Sequence, residues 1–219
     1  MVQLPIFPLH AVVFPGQSLR LHIFEPRYRR LIQDCITQDS PFGIALIRSG
    51  LEAGGPLPEA YRIGCIVEFV RAEPLPYGRY QVYCRGRERY QMLDWLDIKR
   101  PYLVADVLPW PVEGEPDDGQ EHTLRELLAT YLQLLPLGYE PPIQAHTTPL
   151  RDLAFQAAAN LSIPLFQKQQ LLEAPDLSTL IEMLLMHYRK EISLLNLMQV
   201  AEKNLPPSEE DHPLRFSQN

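Results

Sequence analysis

The chain has 219 residues, 46% of them hydrophobic and 21% charged, with a net charge of −7. A chain of this length buries roughly 70% of its unfolded surface, so it folds without metals or disulfides as staples. The negative balance excludes nucleic acid as a main partner, because phosphate binding needs a concentrated positive surface.

Charge is uneven along the chain: residues 1–100 hold 13 Lys/Arg against 10 Asp/Glu, and residues 101–219 hold 7 against 17. The three cysteines, Cys35, Cys65 and Cys84, sit in apolar runs without CxxC or Cys/His spacing. They read as buried free thiols of a reducing compartment. The N-terminus has no basic n-region and is interrupted by Pro5, Pro8 and Pro15, which excludes a signal or transit peptide. Every uncharged stretch is shorter than the ~18 apolar residues needed to cross a bilayer. A cytoplasmic protein with no membrane partner is expected.

In chain order, residues 1–110 show short runs rich in β-branched and aromatic residues, punctuated by Gly and Pro. Strands are predicted at 3–7, 19–23, 42–47, 63–70, 80–84, 90–93 and 102–108. In the 80–84 run, Val82 and Cys84 face one side while Gln81, Tyr83 and Arg85 face the other. A hairpin turn is expected near Gly86. One helix interrupts the strands: Pro26 suits its first position, and Tyr28, Leu31, Ile32, Cys35 and Ile36 form its apolar stripe. Arg29, Arg30, Gln33 and Asp34 fill its outer face.

Residues 111–121 are rich in Pro, Gly and acid and read as a linker. Residues 122–204 then show helical patterns at 123–135, 150–161, 165–173 and 177–203, with Asp176 as the N-cap of the last. The polar stretch 205–219 reads as a flexible tail. The fold class is therefore α+β: a β-rich first part, a curved sheet or pseudo-barrel with one helix, followed by an α-helical bundle.

The search for chemistry yields little. His22 and Glu25 have metal-ligand spacing, yet they straddle a strand end and a helix start without the further ligands of a zinc motif. Cys35 lies near Arg29 and Arg30, but its place on the apolar stripe makes it a packed small hydrophobe. No phosphate loop, dinucleotide fingerprint or nucleophile elbow is present. Arg79 to Tyr90 interleaves arginine and tyrosine but fails the RNA-recognition pattern, because Arg87 and Glu88 stand where aromatics are needed. Catalytic, metal and cofactor sites are expected to be absent.

Leu4-Pro5-Ile6-Phe7-Pro8-Leu9, Val13-Phe14-Pro15-Gly16 and Leu21-His22-Ile23-Phe24-Glu25-Pro26-Arg27-Tyr28 follow one another closely. Together they resemble the N-terminal substrate-recognition domain of the Lon proteases. The likeness continues through Phe42-Gly43, Ile63 to Glu68, Tyr80 to Arg89, and Pro101 to Ala105. It extends more loosely to Leu171-Leu172-Glu173-Ala174-Pro175-Asp176, after which Thr179 stands where many relatives have arginine.

The chain reaches Asn219 without a phosphate loop or peptidase segment, so the resemblance implies a recognition domain without those engines. It implies a non-catalytic polypeptide-binding module, an adaptor or chaperone-like factor in protein quality control. Its partners would be unfolded or tagged polypeptides and a separate protease or ATPase complex. Phe24, Glu25, Arg27 and Tyr28, at the strand-to-helix corner, are the candidate contact residues. The plainer alternative is that they only fix that corner, with Arg27 bonded to nearby carbonyls. Two other functions stand beside this one: a scaffold for one dedicated folded partner, and a hydrolase with an unrecognised site.

Overall fold

The computed structural model describes residues 2–116, 119–135 and 147–203. The tail expected at 205–219 and part of the linker expected at 111–121 lie outside the described residues. The strands are β1 (Val2–Leu9), β2 (Ser18–Ile23), β3 (Phe42–Ser49), β4 (Glu59–Ala60), β5 (Ile63–Leu75), β6 (Arg79–Trp95) and β7 (Leu103–Pro109). The helices are α1 (Pro26–Gln38), α2 (Gln120–Leu134), α3 (Leu150–Asn160), α4 (Leu165–Leu172) and α5 (Leu177–Lys203). The α+β expectation holds.

Five strands close into a ring in the order β1, β7, β6, β5, β3 and back to β1. The closing pair, β1 with β3, is parallel, with Ile6 beside Gly43; the other four pairings are antiparallel. Inside the ring lie Leu4 and Ile6 of β1, Ala45 of β3, Ile66 of β5, Tyr90 and Met92 of β6, and Ala105 and Val107 of β7, and the pairs on β1, β6 and β7 are two residues apart as the pleat requires. Beyond the ring, β5 and β6 run on as a long hairpin to which β2 adds a third strand. Helix α1 packs Tyr28, Leu31, Ile32 and Cys35 beneath this extension, against Phe7, Phe42, Val67 and Val82. β2 pairs with β6 alone, so its outer edge has no strand partner among the described residues.

The expected turn at Gly86 is corrected. β6 is one continuous strand through Gly86, and the chain reverses at Pro76–Gly78, where Tyr77 and Gly78 adopt positive φ of 66° and 69°. Gly86 is demanded instead by close approach: a side chain there would collide with the Phe14 carbonyl. Its amide and carbonyl both bond the 14–17 loop, to Gln17 O and Gly16 N at 2.8 Å each. A glycine inside a strand marks just such a backbone approach.

The helical half rests on the ring through Val12, Phe14, Leu46, Ile63 and Val112, which join one core with Leu124, Leu153, Leu180, Leu184 and Tyr188. Asp176 caps α5 as expected, its carboxylate accepting from Thr179 N–H at 2.8 Å. The α5 stripe is buried as far as Tyr188. Farther on, Leu194, Leu197, Met198 and Val200 are exposed. Arg29 and Asp34 on α1 are latches as well as outer-face residues. Arg29 Nη1 donates to Tyr77 O at 2.6 Å, and Asp34 accepts from Arg30, Arg100 and Tyr102.

Candidate functional site

The chain turns sharply between β2 and α1. Proline at position 26 pushes Glu25 into extended backbone, φ −68° and ψ 136°, and then starts the helix at its first residue. Phe24, Glu25, Arg27 and Tyr28 are thereby brought to one corner in four different settings. Phe24 is 53% exposed, its ring stacked on that of His22 with centroids 6.2 Å apart. The Glu25 side chain makes no cap hydrogen bond to α1, although its backbone carbonyl accepts from Arg29 N–H at 2.9 Å. Its carboxylate accepts from Gly54 N–H at 3.2 Å and pairs with Arg27 at 3.1 Å.

Arg27 completes the tie. Its Nη2 donates to Glu52 O at 3.2 Å, and Nη1 reaches the carbonyls of Gly55 and Pro56 at 3.4 and 3.5 Å. The guanidinium also lies over the Tyr28 ring, 4.8 Å from its centroid. Tyr28 packs against Phe7 with centroids 4.3 Å apart, and its buried hydroxyl has no protein partner. Burial pushes that hydroxyl up to about 12, against a partial opposing effect of Arg27, so it is neutral near pH 7.

These groups surround a cavity of about 240 Å³ lined by Phe7, Leu9, Leu21, Ile23 and Tyr28, with Arg20, His22, Phe24, Glu25 and Glu52 around them. It runs beside the unpartnered edge of β2. The alternative reading for Arg27, bonding to nearby carbonyls, describes its contacts well, and Phe24 is the candidate that projects farthest into solvent. Sequence reasoning missed Glu52, the Gly54 amide and the Gly55 and Pro56 carbonyls, because a Gly/Pro loop carries no periodicity to mark its donors and acceptors.

It also missed Arg89, which is 2% exposed and joins the two halves. Its Nε donates to Trp110 O at 3.1 Å, and its Nη1 to Leu172 O and Ala174 O at 2.7 Å each. Gln169 supports the same joint by donating to Ile63 O at 3.0 Å. The three thiols are inert. Burial pushes Cys35 up to about 11 and Cys65 and Cys84 to about 12, so none is a thiolate near neutral pH. Among the described residues, no group of three or more His, Cys, Asp and Glu is placed to hold a metal, and no helix is long and apolar enough to cross a membrane.

A closed five-stranded ring with an appended helical bundle defines an α+β class of domain, with a corner built from aromatic and ion-paired side chains beside a small cavity. Residues 3–190 match the family model of the ATP-dependent protease La (LON) substrate-binding domain, and the chain belongs to that family. It is similar to Lon protease 2 of Herpetosiphon aurantiacus, 26% identical over 98% of this chain and 27% of that protein. The Lon protease of Methylocella silvestris is 30% identical over 86% of this chain and 24% of its own length. The chain thus spans about a quarter of the Lon proteases it matches. Two solved structures share the fold. One is a Lon N-terminal domain protein from Xanthomonas campestris (TM-score 0.67, 24% identity, 85% of this chain and 98% of that one). The other is the N-terminal domain of a Mycobacterium avium complex Lon protease (TM-score 0.66, 20% identity, 86% and 98%).

Proposed function

We propose that this chain is a non-catalytic polypeptide-binding module, a cytoplasmic adaptor or chaperone-like factor in protein quality control, with Phe24, Glu25, Arg27 and Tyr28 at its binding corner. One observation carries the reading: an apolar-floored cavity of about 240 Å³ lies beside an unpartnered strand edge and is rimmed by exposed Phe24. An extended segment adds to such an edge through its backbone and places alternate side chains in the cavity. Unfolded chains offer both features; folded ones hide them. Leu51 and Leu57, exposed on the adjoining loop, enlarge the apolar surface. Glu25 and Arg27 hold that loop in place, and the neutral Tyr28 hydroxyl is free to bond a polar group of the guest. The same clients would pass to a separate protease or ATPase complex.

The test is fluorescence anisotropy of labelled apolar peptides and of a denatured model protein against the purified chain. Micromolar binding is expected, weakened about tenfold by Phe24→Ala, the loss typical of removing one aromatic anchor. Silence across the whole panel overturns the reading.

A further inference from the structure

Arg89 is a buried cation without a counter-ion. Its three hydrogen bonds all end on neutral carbonyls, those of Trp110, Leu172 and Ala174. Nη2 is buried with no partner, and among the described residues no carboxylate pairs with this guanidinium. The carbonyl end of α4 offsets part of the charge through its dipole. The rings of Trp110 and Phe155, their centroids 4.5 and 5.7 Å from the guanidinium carbon, offset a further part, and no full negative charge balances what is left in this low-dielectric joint.

Against this guanidinium lies a second cavity, of about 200 Å³, at the joint of the two halves and separate from the Phe24 corner. Trp110, Val112 and Phe155 give it apolar walls, and Arg151 stands exposed at its rim. The charges there can be weighed individually. Arg87 is paired with Glu88, while Arg89 and Arg151 together face one further carboxylate, Asp152, which leaves the lining with a net positive charge. The N-terminal turn of α3, which carries Arg151 and Asp152, adds its positive end. The walls favour an apolar body and the charge a carboxylate. The volume is below the ~300 to 1,000 Å³ of drug-sized sites, which leaves room for about one residue.

We infer that this cavity receives the C-terminal residue of a bound polypeptide, its side chain against Trp110 and Phe155 and its free carboxylate toward Arg89 and Arg151. The inference rests on the polypeptide-binding reading and adds a chain-end preference to it. A carboxylate in the cavity pairs with the exposed Arg151 in the charge-assisted form that a guanidinium fork favours, and it lies in the field of the buried Arg89 cation.

The experiment uses Trp95→Phe, which leaves Trp110 as the only tryptophan of the two in the chain. Its emission is followed while titrating a ten-residue peptide ending in leucine, as the free acid and as the C-terminal amide. The acid is expected to bind about tenfold tighter, as one charge-assisted contact allows. Arg151→Glu, at an exposed position that folding tolerates, is expected to abolish that difference. Equal binding of acid and amide, or an acid preference that survives Arg151→Glu, overturns the chain-end assignment and leaves the corner reading standing. N-acetyl-leucine is the further arm, expected to bind far more weakly than the peptide; equal affinity assigns the cavity to small free acids and overturns the inference. If neither peptide changes the Trp110 emission, the chain-end assignment is overturned, and the corner reading is decided separately by the anisotropy panel.

Discussion

The ring of Tyr90 fills the space that a side chain on Gly64 would need. The two are cross-strand partners on β5 and β6, and a methyl group at Gly64 would collide with both the Tyr90 hydroxyl and the Ile44 carbonyl. Because one of those obstacles is backbone, no rotamer change relieves the clash. Gly64→Ala is therefore expected to destabilise the fold by about 3 kcal/mol, the upper end of ordinary overpacking. Tyr90→Phe gives up only the 3.3 Å bond to Ile44 O, worth about 1 kcal/mol. Urea unfolding of both variants checks the order; a Gly64→Ala protein as stable as the parent refutes this account of the ring.

Arg89→Ala is expected to loosen the joint between the halves. It strands the carbonyls of Trp110, Leu172 and Ala174, and each buried acceptor without a donor costs about 1 to 3 kcal/mol. A total loss above about 3 kcal/mol follows. Burial lowers the guanidinium to about 10, still far above neutrality, so the wild-type group is charged throughout the physiological range. Hydrogen exchange should accelerate in α4 and at the start of α5 while α1 keeps its protection. Uniform acceleration across the molecule would instead mean that the halves unfold as a single unit.

What was legible in the sequence was what local pattern records. Short β-branched and aromatic runs between Gly and Pro marked the strands, and the stripe from Leu177 with Asp176 as cap located α5 over its full observed span. Gly86 misled because glycine in a turn and glycine under another backbone look alike locally. The deciding neighbour, the Phe14 carbonyl, is 72 positions away in the chain. Arg89 was hidden for the same reason, its acceptors Leu172 and Ala174 lying beyond the reach of any periodicity. The corner residues were singled out by family resemblance. Their loop partners came only with the structure, since a Gly-Gly-Pro segment does not announce which carbonyls it will present.

Asp34 gives the fold an acid-sensitive latch between α1 and the segment leading into β7. Tyr102 Oη donates to it at 2.7 Å, Arg100 Nη1 at 2.6 Å and Arg30 Nε at 2.8 Å. Burial alone would raise this carboxyl, but the hydrogen bonds from Tyr102 and Arg30, with the charges of Arg30 and Arg100, outweigh it and hold it below 3.8. A carboxyl depressed in the folded state stabilises fully above its unfolded value, and the contribution disappears as pH falls through the folded value. Melting temperatures recorded from pH 7 down to pH 2.5 should therefore fall less steeply below about pH 4 in Asp34→Asn than in wild type, with the variant less stable at pH 7. Identical acid limbs would show that other carboxylates set the slope.

Arg27→Ala separates the loop's stability from that of the fold. The side chain is largely enclosed, and its ion pair with Glu25 aims the carboxylate that accepts from Gly54 N–H. Its remaining bonds end on loop carbonyls at the chain surface, so global stability should drop by only about 1 kcal/mol. The local effect is larger. Exchange of the Gly54 amide should rise at least about tenfold as the loop opens, and peptide affinity should fall with it, because the cavity wall formed by Glu52 and Ala53 is no longer held. Arg27→Lys is not expected to rescue either effect, since a single ammonium cannot serve Glu25 and the Glu52 carbonyl with the geometry of a planar fork. Unchanged Gly54 exchange in the alanine variant would mean that other contacts anchor the loop and that Arg27 acts on peptide, if at all, by direct contact.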